Sequence, residues 1–145
     1  MTSSVDPAVR SAGGPPGPRP TGAVVEWPRI WLRLEGLAAL VAGVVAYRAL
    51  GGDFLWLIPG LFAVDLSMVG YLAGSHPGAI TYNVAHNWFT ALLVLGLGLA
   101  ANLGWLALAG CVLVAHVGVD RLAGYGLKYA PSFGDTHLGW IGRRP

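Results

Sequence analysis

Four apolar runs follow one another with only short breaks: Ile30 to Leu50, Phe54 to Ala73, Ile80 to Ala101 and Leu103 to Ala123. A run of about 20 residues rises about 30 Å as a helix, enough to cross a hydrocarbon core. Four such helices in 145 residues leave a soluble domain almost no polar surface. The chain is 54% hydrophobic and 11% charged, with mean hydropathy +0.59; soluble domains average about 25% charged residues. The predicted fold is all-α, a four-span transmembrane helical bundle over residues 29–124. Gly51-Gly52-Asp53, Ser75-His76-Pro77-Gly78 and Asn102 supply the turns between spans. Pro59-Gly60 predicts a kink in the second span. Gly70 and Gly74 predict a surface that a neighbouring helix can approach closely.

Residues 1–28 are rich in Pro, Gly, Ser and Ala and lack the apolar core of a secretory signal. Such a stretch buries too little apolar surface to offset its chain entropy, so it is read as disordered, with Pro28 closing it. The net charge of +2 is too small for a nucleic-acid partner, and the lipid bilayer is the expected one. Cys111 has no second cysteine to pair with and sits in an apolar run, as a small buried residue does.

Orientation follows from Lys and Arg. Arg10, Arg19, Arg29 and Arg33 precede or open the first span, and Arg121, Lys128, Arg143 and Arg144 lie at or beyond the end of the fourth. The positive-inside rule then puts both termini in the cytoplasm. These basic residues are read as a topology signal and not as a binding patch. After Ala123 the aromatics Tyr125, Tyr129, Phe133 and Trp140 suit a cytoplasmic tail, residues 125–145, lying in the membrane interface.

This topology brings together residues that are far apart in the chain. Glu35 opens the first span, Asp65 lies past the middle of the second, Asn83 and His86 open the third, and His116, Asp120 and Arg121 end the fourth. All fall in the cytoplasmic half. Ionisable groups inside a membrane face the bundle interior and pair with one another, so a shared polar site is expected there. His116 and Asp120 stand one helical turn apart on one face. Imidazoles with carboxylates form the ligand set of a divalent metal such as zinc, iron or manganese.

In the catalytic reading His86, His116 and Asp120 are metal ligands, and His137 in the tail is a further ligand or acid/base. Asp120 can instead orient His116 from behind. Asp65 and Glu35 act as further ligands or base, and Arg121, Lys128, Tyr71 and Asn83 contact substrate. The reaction expected is metal-assisted hydrolysis of a membrane-associated or small polar substrate. Two other readings use the same residues. They can be internal glue in a non-enzymatic membrane component, with Glu35 or Asp120 paired to Arg33 or Arg121. Alternatively, Asp65 and the histidines can relay protons in a small carrier, which at this size calls for a homo-oligomer.

Six motifs in order carry a family resemblance: Arg33-Leu-Glu-Gly36, Asp65-Leu-Ser-Met-Val-Gly-Tyr71, Tyr82-Asn-Val-Ala-His86, His116-Val-Gly-Val-Asp-Arg121, Gly124-Tyr-Gly-Leu-Lys-Tyr129 and Asp135-Thr-His-Leu-Gly139. From about Ile30 to Ile141 the chain resembles a family of small bacterial membrane proteins, the domain-of-unknown-function 4260 group. The resemblance implies a four-span protein of a bacterial cell membrane and brings no activity, substrate or cofactor. The chain also looks like membrane-bound metal-dependent hydrolases in placing His and Asp on short hydrophobic helices, a likeness that transfers no residue role.

Overall fold

Helix α5, Gly104–Ala123, is the post around which the other helices stand. In the computed structural model, which describes residues 24, 26–130 and 132–141, 61% of its apolar stretch is buried by the rest of the chain. The corresponding figures are 17% for α1, Trp27–Ala49, and 6% for the continuous helix Phe54–Ala73. The difference follows from where small residues sit. A Cβ built on Gly36 of α1 would lie 2.8 Å from the carbonyl oxygen of Gly118, and one built on Gly43 would lie 2.7 Å from the backbone nitrogen of Ala115. Only glycine lets the two backbones approach so closely, and in lipid such packing drives helix association. On another side of α5, Gly98 of α4, Trp88–Ala100, packs against Ala107 in the same way.

Local chemistry sets the ends of the elements. Pro28 stands in the first turn of α1, where its missing N–H costs no hydrogen bond. The helix thus begins before the boundary expected at residue 28, and a proline counted against helix proves to be its start. The rest of the Pro-rich segment, residues 1–23, and the last four residues lie outside the described residues. Asp53 caps α2, Phe54–Val64, by accepting the Leu55 N–H at 2.8 Å. Gly51 (φ 85°) and Asn102 (φ 54°) turn the chain after α1 and α4 in the left-handed region.

The second run changes its winding at Asp65 and continues as a 3₁₀ helix, Asp65–Ala73. With 3.0 residues per turn, side chains three apart are eclipsed. Leu66, Val69 and Leu72 accordingly form one exposed apolar row. Ser67 and Gly70 form a second, against Thr81 of α3, Ser75–Ala85, whose hydroxyl donates to the Ser67 carbonyl at 2.8 Å. Asp65, Met68 and Tyr71 form the third row. Of the two glycines expected to admit a neighbour, Gly70 does so, while Gly74 (φ 121°) ends the helix.

The third run is not one straight helix. α3 and α4 meet at a 44° bend at His86–Asn87. Asn87 is extended (φ −120°, ψ 155°) and caps α4, its side chain accepting the Thr90 N–H at 2.8 Å. Three helices are therefore long and apolar enough to cross a membrane, with the bent pair a fourth candidate. The large apolar side chains they expose, among them Val41, Val45, Phe62, Leu72 and Leu92, suit hydrocarbon and make this an integral membrane protein. The tail folds back as a small hairpin, β1 Asp135–Thr136 with β2 Gly139–Trp140.

Candidate metal centre

Two one-turn pairs face each other across α3 and α5. Tyr82 lies on α3 with His86 capping its C-terminus, and His116 and Asp120 lie on α5. The Tyr82 hydroxyl donates to Asp120 Oδ2 at 2.7 Å, and His86 Nε2 lies 3.0 Å from His116 Nε2. The 3₁₀ helix adds Asp65, whose Oδ1 is 3.3 Å from His86 Nε2 and 3.5 Å from His116 Nε2. Asp120 carboxylate oxygens stand 3.8 and 3.9 Å from the same two nitrogens. With ligands at about 2.0–2.2 Å, neighbouring donors lie about 3.3–3.6 Å apart around a tetrahedral ion and about 2.8–3.1 Å apart around an octahedral one. The Asp65, His86 and His116 separations span that range.

The ring of His86 is held in place independently of any ion. It is fully buried, stacks on Tyr82 at 3.8 Å between centroids, and its Nδ1 donates to the Tyr82 carbonyl at 2.9 Å. That bond leaves the Nε2 lone pair directed at the cluster, as metal-ligating histidines require.

A cavity of about 270 Å³ adjoins the cluster. Asp65, Tyr82 and Asp120 bring the cluster to its wall, Met68, Phe133 and Ile141 make the wall largely apolar, and Lys128 supplies a cation. Lys128 donates to the Phe133 carbonyl at 2.9 Å, with its ammonium 3.9 Å from the centre of the Phe133 ring. Burial pushes its pKa down, and Asp120 opposes that shift. Tyr71 packs edge-on against Phe133, and its buried hydroxyl has no hydrogen-bond partner among the described residues.

Other expected site residues stand elsewhere. Arg121 is buried and holds backbone: Nη2 donates to the His86 carbonyl at 3.1 Å and Nη1 to that of Tyr125 at 2.6 Å. The bend after α3 leaves the first of these carbonyls without a helical partner. Asn83 joins α3 to the tail through a reciprocal pair, donating to the Lys128 carbonyl at 2.9 Å and accepting its N–H at 2.7 Å. His137 Nδ1 accepts the Leu127 N–H at 2.8 Å. Burial and the nearby Arg121 cation hold its pKa below the usual histidine value. Glu35 is exposed, is not paired with Arg33 or Arg121 among the described residues, and lines a separate cavity of about 220 Å³ with Arg121 and His137.

The cluster thus keeps Asp65, His86, His116 and Asp120 and leaves Glu35 and His137 outside. Tyr82 is not among the expected site residues; a hydrogen bond from it to Asp65 would fit the bundle, but its hydroxyl bonds Asp120, and its i, i+4 relation to His86 was the available signal of a place in the cluster. No curated protein and no solved structure matches the chain. A family profile does match, over residues 29–141, and by it the chain belongs to the family described as domain of unknown function DUF4260.

Proposed function

We propose that the protein is a membrane-embedded, metal-dependent hydrolase. The observation that carries this reading is the convergence of Asp65 Oδ1 with the Nε2 atoms of His86 and His116, all within 4.8 Å of one another, beside a cavity. Asp65, His86 and His116 would hold a divalent ion there, which would supply Lewis acidity and activate a water. Asp120, fixed by the Tyr82 hydroxyl, is placed to accept a proton at Oδ1. Lys128 offers a cation to an anionic part of the substrate, and the apolar wall accepts its hydrophobic part.

We place the site in the cytoplasmic half of four spans, the bent pair α3–α4 counting as one, with both termini cytoplasmic. Support comes from the basic residues at both ends of the chain and their near absence from the Gly51 and Asn102 turns.

The test uses the full chain in lipid nanodiscs, stripped with chelator and reloaded with zinc, iron(II) or manganese(II). It is offered carboxylic esters, phosphoesters and amides. The proposal expects turnover that requires the metal and disappears in His116→Gln. A second reading rests on the 3.0 Å approach of the two imidazoles, which is also hydrogen-bond length. In that reading the cluster is a proton-sharing tie between α3 and α5, and the protein is a non-enzymatic membrane component. Metal retained without any turnover sinks the hydrolase; no metal retained leaves the tie.

A further inference from the structure

Arg29 and Arg33 stand one turn apart on α1 and border a cavity of about 250 Å³, separate from the metal centre. Its other walls are the end of α5, Ala123 to Tyr125, and the returning tail, including Trp140. No carboxylate is among the described residues that line it. Arg33 makes no hydrogen bond or ion pair among the described residues, and Arg29 makes one weak bond, from Nε to the Val24 carbonyl at 3.3 Å.

Two glycines make room for these guanidinium groups. A Cβ on Gly124 (φ 94°) would lie 2.8 Å from Arg33 Nη2, and one on Gly139 (φ 117°) would lie 2.5 Å from Arg29 Nη2. Both forks therefore lie close against these glycines, with most of their N–H donors unused among the described residues. Paired planar forks match the oxygen geometry of phosphate. Trp27 and Trp31 are exposed on the first turns of the same helix, and Tyr125 is exposed beside the cavity. Such aromatics settle at the head-group level of a bilayer.

We propose that this cavity binds a phosphate-bearing anion, supplied at the membrane surface by the head group of an anionic phospholipid. This inference does not depend on the metal centre or on any catalysis. It revises the reading of Arg29 and Arg33 as topology signals alone.

The full chain is placed in nanodiscs of phosphatidylcholine mixed with phosphatidylglycerol, and the lipids that stay bound on release are counted by native mass spectrometry. A second arm titrates inorganic phosphate into the detergent-solubilised chain and follows thermal unfolding. Wild type is expected to retain phosphatidylglycerol in preference to phosphatidylcholine. Each of Arg29→Gln and Arg33→Gln is expected to lower that preference about 10-fold, the order expected for losing one charge-assisted hydrogen bond. Arg33→Lys, which keeps the charge but not the fork, is expected to fall between. An unchanged elution profile and an unchanged melting temperature without phosphate mark these variants as folded. A preference equal in wild type and in the variant combining Arg29→Gln with Arg33→Gln overturns the proposal. Stabilisation of wild type by inorganic phosphate without any lipid preference overturns the lipid source and leaves a soluble phosphate as ligand.

Discussion

Two cavities, of about 270 and 220 Å³, both take ionisable side chains into their walls and differ in what those side chains bond to. Around the 270 Å³ cavity, Asp65, His86, His116 and Asp120 point donor atoms at one another, and His86 and Asp120 are each braced from behind by Tyr82. Around the 220 Å³ cavity, the Arg121 and His137 side chains are bonded to backbone atoms, and Glu35 stands apart. The first arrangement gathers Asp65, His86 and His116 as a group that could hold a metal ion, whereas the second closes a helix break and docks a tail. Depth in the membrane alone therefore does not separate function from scaffolding; the partner of each side chain does.

The largest effect is expected at the ligands. His116→Ala should lower metal retention about 100-fold or more, since removal of even an outer partner costs about 10- to 100-fold. Elemental analysis of the purified full chain reads this directly. Arg121→Met should show the reverse pattern. It leaves the buried His86 carbonyl unpaired, at about 1–3 kcal/mol, and removes the donor to the part-buried Tyr125 carbonyl. Thermal unfolding in detergent and folded yield should both fall. A loss of metal in Arg121→Met at unchanged melting temperature would erase the contrast between the two regions.

Tyr82→Phe tests the brace on Asp120. It keeps the ring stack on His86 and removes one hydroxyl, so metal affinity should drop about 10-fold while the fold persists. His137 gives a smaller, pH-dependent effect. Its folded pKa lies below the ordinary 6.5, so its contribution to stability is complete above that value. That contribution is lost as pH falls through the folded pKa, because protonation of Nδ1 removes the acceptor for the Leu127 N–H. Melting temperature measured from pH 8 to 5 should decline more steeply for wild type than for His137→Gln, which does not titrate. Glu35→Gln should change metal retention by less than about 2-fold, as expected of a group outside the ligand set.

Much of the frame was legible in the sequence because lipid imposes it: apolar run lengths, Gly51 and Asn102 as turns, and the pairing of His116 with Asp120 on one face. What was not legible depends on a change of helical period or on a long-range partner. Reading Phe54 to Ala73 at 3.6 residues per turn conceals the row Asp65, Met68 and Tyr71, which needs 3.0. The bend at His86–Asn87 is stabilised by Arg121, 35 residues away in the chain, and no local pattern announces it. Nor does the spacing of Arg121, Asn83 and His137 reveal that they bind backbone atoms, since every residue has such atoms to offer.

The most direct test of the metal centre is X-ray absorption at the metal edge of the full chain, reloaded with zinc in nanodiscs. Two imidazole nitrogens and at least one carboxylate oxygen are expected at about 2.0–2.2 Å from the ion, with one imidazole lost in His86→Gln. A chain that retains no ion after loading, or an ion without imidazole ligands, would contradict the metal centre.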